Sequence, residues 1–473
     1  MNSRTKKLLR GMLFLFPLLL GFTGLLESGE KLLDALFSAI TMYGMNYGET
    51  PPNTAVQLAR WTAPLATASG IAMIFTPVIR DVRARLYNRL GNSVAVYGDR
   101  EIYEQIKKTR SYPVVQGAEK LLPAHSYVLF GEEQENLRFY LTHQEELQNR
   151  EVFLRCESLR SQEIGGGRLH LYCMEEVGAR LFWKQAGLLE QFARKKDVFR
   201  IAMIGFGRLG EQLLLWGLQN NVFSPDQRIC YDVFGDENGF LQMHRELPRV
   251  SDSIAFHDNW QEKIPLLQSA DRILVCQQEQ QLLLTEQLLF TLNGKVLDIL
   301  AADPQQMSLL EDQERLRIFP WKEAALQPEN LFDARTLMRA KAINLRYAHL
   351  YGGVEETAEN AETEWDKLNS FTRYSNISAA DYHEIRLQML ASWGLPVDAE
   401  RIPPEKLELL AELEHIRWER FHYLNNWRPG EPANGKTKDP QQRIHKDLIP
   451  FRNLTDAEKE KDRENVRVLL TIP

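Results

Sequence analysis

Cysteine is scarce. The chain holds four in 473 residues: Cys156, Cys173, Cys230 and Cys276. Each lies in a short apolar run such as VFLRCES or RILVCQQ, which reads as reduced, buried thiols on strands rather than a disulfide framework or a zinc site. Reduced thiols set the soluble part in the cytosol. A basic excess is missing too. Charged residues make up 26% of the chain and the net charge is -7, a balance that argues against nucleic acid as the main partner. No nucleophile–base pair and no metal-ligand spacing stands out, so no enzyme and no metal site are expected. Long apolar runs are confined to the first eighty or so residues, and the remainder reads as water-soluble and long enough for two or three domains.

The N-terminal apolar runs are what the rest of the sequence lacks. Arg4, Lys6, Lys7 and Arg10 precede MLFLFPLLLGFTGLL, a run without one charge. A basic start and a short apolar core suit a signal peptide, but no small-x-small cleavage site follows. A second run, WTAPLATASGIAMIFTPVI from Trp61 to Ile79, is followed by Arg80, Arg83, Arg85 and Arg89. Each run approaches the roughly 17–20 residues that a spanning helix needs. Basic residues flank the outer end of each, which puts both termini in the cytoplasm. The expectation is an inner-membrane hairpin of two spans over residues 1–90. Ala, Thr, Ser and Gly in the second span suit close helix packing, and Pro64, Gly70 and Pro77 are places where it would bend.

Between the runs, Leu32, Leu33, Leu36, Phe37 and Ile40 recur at helical spacing and lead into TMYGMNYGETPP. A short helix and a glycine-tyrosine loop between two spans resemble the pore helix and filter of two-helix potassium channels, whose pattern is Thr-Val-Gly-Tyr-Gly followed by Asp. Gly44-Met45-Asn46-Tyr47-Gly48 and then Glu49 stand in that register. Tyr47, Gly48 and the acid match. Gly44 replaces threonine, Met45 replaces valine, and Asn46 replaces a glycine. The filter's carbonyls face inward only with unusual dihedrals. Asn tolerates the left-handed region better than most residues, so the departure is compatible with a filter-like loop, with weakened potassium selectivity expected. The candidate pore residues are Tyr43, Gly44, Met45, Asn46, Tyr47, Gly48 and Glu49. The plainer alternative is a two-helix anchor with a polar outer loop.

After Gly91 the pattern becomes short apolar runs alternating with polar helical stretches. SVAVYGD, YVLFGE, EVFLRC and LHLYC form one set; RIAMIGFG, RICYDVFGD, DSIAFHD, RILVCQ, KVLDIL and RLRIF form a second. This predicts two tandem Rossmann-like α/β domains with parallel sheets, residues 91–196 and 197–330, divided at ARKKDV near Asp197. Gly205, Gly207 and Gly210 form GFGRLG between a strand and a helix, the context in which such a motif holds a pyrophosphate. Asp236, ending the next strand, would meet a ribose hydroxyl, with Glu237 beside it. The alternative is a glycine turn kept for helix–sheet packing. The first domain has only Gly98 at its turn, with Arg100 and Tyr103 in place of the other glycines, and is degenerate. Two spans, a filter-like loop and tandem Rossmann units together resemble channels with cytosolic TrkA or RCK domains, over roughly residues 1–320.

Residues 331–473 read as helical. One helix is expected over LFDARTLMRAKAINLRYAHLY, and two over WDKLNSFTRYSNISAADYHEIRLQML with Ser375 or Ser378 as N-cap. Leu410, Ala411, Glu414, His415 and Trp418, then Trp427, Gly430, HKDLIPFRNL and EKEKDRENV, resemble the RyR repeat of ryanodine receptors and bacterial relatives, here about residues 405–470. Trp365 to Asn376 resembles the segment that precedes the repeat. Leu410, Leu413 and Trp418 are core candidates, and His415 is a satisfied core histidine or a ligand contact. Lys436, Lys438, Arg443, His445 and Lys446 crowd one loop. They form a solvated basic face, or a pocket for an anionic ligand with Trp418 or Trp427 stacking on a base.

The fold class expected is therefore a membrane α-helical hairpin, tandem α/β domains and a helical RyR domain. The function expected is an oligomeric, ligand-gated ion channel. It would be a tetramer, with a dimer as second choice, gated by NAD(H), ATP/ADP or another adenine nucleotide. Its alternatives are a membrane-anchored nucleotide-sensing regulator without a pore and a membrane-anchored dinucleotide-dependent enzyme.

Overall fold

The computed structural model describes every residue except 1, 2, 110–112, 160–162, 165–167, 196, 197, 434 and 473. The side chains of residues 3–11, 13, 73, 74 and 109 are also outside that description. The domain division expected near Asp197 falls on residues outside it. The chain divides into two compact units, residues 1–95 with 115–124 and residues 96–114 with 125–473.

In the first unit, α1 (Ser3–Glu27), α2 (Leu32–Thr41) and a 3-10 turn (Met42–Gly44) precede α3 (Thr54–Leu90). Glycine lets α1 and α3 approach closely. A Cβ on Gly24 would stand 2.9 Å from Val56, and one on Gly21 would stand 3.1 Å from Ala59. Asn53 fastens the crossing. Its side chain caps α3 by accepting from Val56 N at 2.9 Å, and its amide donates to the Gly24 carbonyl at 2.6 Å. Ala35, Ala39 and Met42 of the α2 segment bury against Val56, Ala59 and Ala63. The larger apolar residues of α2 face outward instead, with Leu33 and Phe37 at 75% and 70% exposure. The periodicity that predicted α2 thus marks a face with no partner in one chain. Among the described residues, α3 is the one helix long and apolar enough to cross a membrane, and Phe14–Glu27 is a shorter apolar stretch. α3 continues as one helix through Pro64, Gly70 and Pro77.

The boundary between units passes within β1 (Val94–Gly98) and β2 (Val114–Gln116), with α4 (Arg100–Thr109) between them. In the second unit come β3 (Ser126–Phe130), α5 (Glu133–Thr142), α6 (Gln144–Leu147), β4 (Glu151–Arg155) and β5 (Leu169–Tyr172). β3, β4 and β5 run parallel. α7 (Met174–Gln185) and α8 (Leu188–Arg194) lead to a second sheet. Its elements are β6 (Phe199–Ile204), α9 (Arg208–Asn220), β7 (Ile229–Phe234), α10 (Phe240–Met243), β8 (Ser253–His257), α11 (Ile264–Ser269), β9 (Arg272–Val275), α12 (Gln281–Thr291), β10 (Leu297–Leu300) and β11 (Leu316–Phe319). All six strands are parallel, in the order β11-β10-β9-β6-β7-β8. Counted from β6, that is the doubly wound order whose switch point falls between the first and fourth strands. The cysteines are free. Only Cys230 lies within a strand; Cys156, Cys173 and Cys276 follow strand ends.

The remainder is α13 (Trp321–Ala325), α14 (Pro328–Phe332), α15 (Ala334–Gly352), α16 (Ala358–Asp366), α17 (Ser370–Ser392), α18 (Pro404–Leu424), the two-residue strands β12 (Arg428–Pro429), β13 (Lys438–Asp439) and β14 (Ile444–His445), and α19 (Asp456–Leu470). α17 is capped by Asn369, which accepts from Thr372 N at 2.9 Å, and not by Ser375 or Ser378. Ser378 is buried in mid-helix, where its hydroxyl accepts from Arg417 at 2.7 Å.

Buried charges join these helices to the second sheet. Arg420 of α18 donates to Asp252 and to the Leu218 carbonyl, each at 2.7 Å. Arg386 and Arg417 share Glu414. Asp381 receives Arg180, Lys184 and the Asn220 amide. Burial raises the Asp381 carboxyl, but Arg180 and Lys184 outweigh it and hold the group at about 2. Removing one member of such a pair leaves a buried charge alone, at a cost of about 3–5 kcal/mol. Arg420→Ala should therefore lower the onset of thermal unfolding of the full chain by several degrees. Arg401→Ala, at an exposed pair with Asp398, should leave it unchanged.

Candidate functional site

The loop after α2 is built by a tight turn. Met45 N donates to the Met42 carbonyl and Asn46 N to the Thr41 carbonyl, each at 3.1 Å. Closing that turn puts Met45 in the left-handed region, with φ 59°. Chain closure, rather than the tolerance of Asn46, selects the left-handed residue of this turn. The Tyr47 ring is buried against the α1–α3 core, while Gly44, Met45, Asn46, Gly48 and Glu49 are exposed. Among the described residues, nothing donates to the carbonyls of Gly44, Met45, Asn46, Tyr47 or Gly48. Tyr43 is separate from that run. Its hydroxyl donates to the Phe14 carbonyl, and its own carbonyl accepts from Thr67 at 3.0 Å, so unlike the next five it has a donor.

At the glycine turn the three glycines differ. Gly205 has φ +100°, and a Cβ there would stand 2.5 Å from Gln277 N. A Cβ on Gly210 would stand 2.4 Å from the Gly205 carbonyl, where α9 packs on the turn. Packing alone accounts for these two. Gly207, the residue before α9, meets nothing within 4 Å. Packing does not account for it, and it leaves open the space at the helix N-terminus where a pyrophosphate sits in this motif. Asp236 is exposed, just beyond β7, the strand paired with β6. It accepts from Asn238 N at 3.0 Å in a local turn. Gly98 of the first domain behaves as Gly205 does, with φ +103° and a Cβ that would lie 2.2 Å from Gly131 N, and Arg100 stands where the second domain has Gly207.

In the C-terminal region Leu410 and Leu413 are core. His415 is satisfied on both sides, Nδ1 to Asp462 at 3.1 Å and Nε2 to the Ile449 carbonyl at 2.9 Å. Burial lowers its affinity for a proton, but the Asp462 carboxylate outweighs that and raises it to about 9. Trp418 is half-buried and stacks on His415 at 5.4 Å. Trp427 is buried, with one face stacked on Phe371 at 5.1 Å, so that face is closed to a base. Burial holds the imidazole of His445 down at about 3 and that of His422 well below the usual value. Lys438 pairs with His445 across β13 and β14, and Lys436 is exposed. Arg443 is committed, to the Asn425 carbonyl at 2.9 Å and to Glu163 at 2.8 Å. Lys446 lies 3.7 Å from Glu458. Arg443 and Lys446 of the basic loop are thus tied to acids outside it.

Sequence reasoning missed the cavities of the second unit. One, of about 130 Å³, is lined by Phe153, His170, Phe332 and Trp365 with Arg180 and Glu176. Its walls come from segments more than 150 residues apart, and no local pattern announces it. Among the described residues no group of His, Cys, Asp or Glu is arranged to hold a metal ion. Comparison with known proteins finds no matching family model, curated protein or solved structure.

The open space at Gly207 gives a direct test. Gly207→Val fills it without touching the strand or helix packing. It should abolish binding of NAD or ATP at the turn in titrations of the full chain and leave thermal unfolding unchanged. Unchanged binding would put the nucleotide elsewhere.

Proposed function

We propose that this chain is one subunit of a ligand-gated ion channel of the bacterial inner membrane. α1 and α3 are its spans, the carbonyls of Gly44 to Gly48 line the ion path, and cytosolic Rossmann-like and RyR-like domains of TrkA/RCK-type channels sense a nucleotide. The observation that carries the reading is the run of five carbonyls without a donor, held between two apolar helices. Carbonyls left open to solvent are free to bond water, and in a pore a passing ion takes that place. Outward-facing Leu33, Phe37, Trp61 and Leu65 suit a surface covered by lipid and by neighbouring subunits. One hairpin encloses no path, so the protein must be a homo-oligomer, a tetramer in this reading. The parallel strand order and the open space at Gly207 support an adenine nucleotide, NAD(H) or ATP/ADP, as the anionic ligand. A second reading, an anchored nucleotide-sensing regulator without a pore, is favoured by the Tyr43 carbonyl, which Thr67 holds at 3.0 Å and so keeps from facing an ion.

Topology and mass separate these readings. Cysteines at Ser3 and Asn53 should label from opposite sides of the membrane, and the protein in detergent should have the mass of a tetramer. Labelling of both from one side, or a monomer at every concentration, would remove the pore. A dimer would favour the regulator.

A further inference from the structure

A cavity of about 210 Å³ lies along α9. Arg208, Gln212, Leu215 and Gln219 line it from one face of that helix, at the spacing of successive turns. Glu176 of α7, Tyr374 of α17 and Leu424 at the end of α18 complete the walls. The site therefore draws on the first α/β domain, the second and the C-terminal helices, all within one compact unit.

Three features point to an occupant. Gln219 is 7% exposed, and among the described residues its amide has no hydrogen-bond partner. The amide is not sealed from solvent, so it is open to whatever enters the cavity it lines. At the inner wall the Tyr374 hydroxyl donates to Glu176, and burial raises the Glu176 carboxyl above its usual range. This pair also lines the neighbouring cavity of about 130 Å³. At the outer end Arg208 is exposed and, among the described residues, makes no ion pair. Along α9 the cavity thus offers the Arg208 guanidinium at one end and the Gln219 amide at the other, with the Glu176 carboxyl, the Tyr374 phenol, Glu211, Leu215 and Leu424 in its walls. The volume falls below the roughly 300 Å³ at the lower end of drug-sized ligand pockets, which excludes a dinucleotide from the interior.

We infer that this cavity is a second ligand site, distinct from the glycine turn, that takes a nucleoside monophosphate with its base beside Gln219 and its phosphate at Arg208. The ligand class agrees with the proposed nucleotide sensing, but the site stands or falls without any ion current.

Calorimetry of the full chain in detergent, with AMP, GMP and adenosine as probes, tests it. AMP or GMP should bind. Gln219→Leu should weaken that binding about tenfold or more, the loss expected when a buried polar pairing is removed. It should not lower the melting temperature, since the amide has no partner to lose. Arg208→Ala should weaken the monophosphate and leave adenosine unchanged, because only the phosphate meets the guanidinium. Gly207→Val should leave the monophosphate affinity within about twofold. No binding of either monophosphate overturns the inference. So does binding that survives Gln219→Leu in a folded protein, or that Gly207→Val abolishes.

Discussion

Asp252 and Arg420 are both buried, and removing either leaves the other an unpaired buried charge. Asp252 precedes β8 of the second sheet, and Arg420 lies near the end of α18, 168 residues away. Around this pair the same geometry repeats: Arg180 and Lys184 of α7 meet Asp381 of α17, and the Tyr382 hydroxyl donates to the Val222 carbonyl. Charges taken out of water at such cost are kept only where geometry satisfies them fully. The C-terminal helices are consequently part of the α/β body and not a detachable cap. A fragment beginning near Ala358 would strand Asp381 and Arg420 from their partners, so ligand binding by the C-terminal region belongs to experiments on the whole chain.

That constraint gives the glycine turn and the aromatic cluster a common frame. α9 begins at the turn, carries Asn220 to Asp381, and supplies the Leu218 carbonyl to Arg420. α18 carries His415, Trp418 and His422 on the same helix as Arg420. The polar groups that answer a ligand at α9 are thus one step from those that hold α18.

Much of the soluble fold was legible because its signals are local. The six strands of the second sheet are contiguous apolar runs with turn residues at their ends, and buried parallel strands look that way. β2 escaped notice because Val114–Gln116 is too short to show a period. Asn369 with its Thr372 bond was as visible a cap as Ser375 or Ser378, but the serines lay nearer the centre of the expected pair of helices. At the loop, residue preference favoured Asn46 for the left-handed position, and the closure of the Met42 turn selected Met45. GFGRLG was readable as a motif, but only coordinates separate Gly205 and Gly210, which packing demands, from Gly207, which it does not. Gln219 and Glu176 gave no signal at all, since an unpaired buried amide is a property of distant walls.

The first unit poses the sharper question of what surrounds it. Its own core packs the small residues Ala35, Ala39, Ala59 and Ala63 with Leu25, Met42, Tyr47 and Val56, and leaves Leu33, Phe37, Trp61 and Leu65 outside. Five carbonyls in the loop between the helices have no donor. Lipid satisfies the first of these and cannot satisfy the second. The central claim is that ions do. Purified full-length protein in a planar bilayer, with an adenine nucleotide added to the cytosolic side, decides it. The account predicts unitary cation currents whose open probability changes with the nucleotide and whose reversal potential shows incomplete discrimination of potassium from sodium. A silent bilayer containing folded, inserted protein, with and without nucleotide, would contradict it.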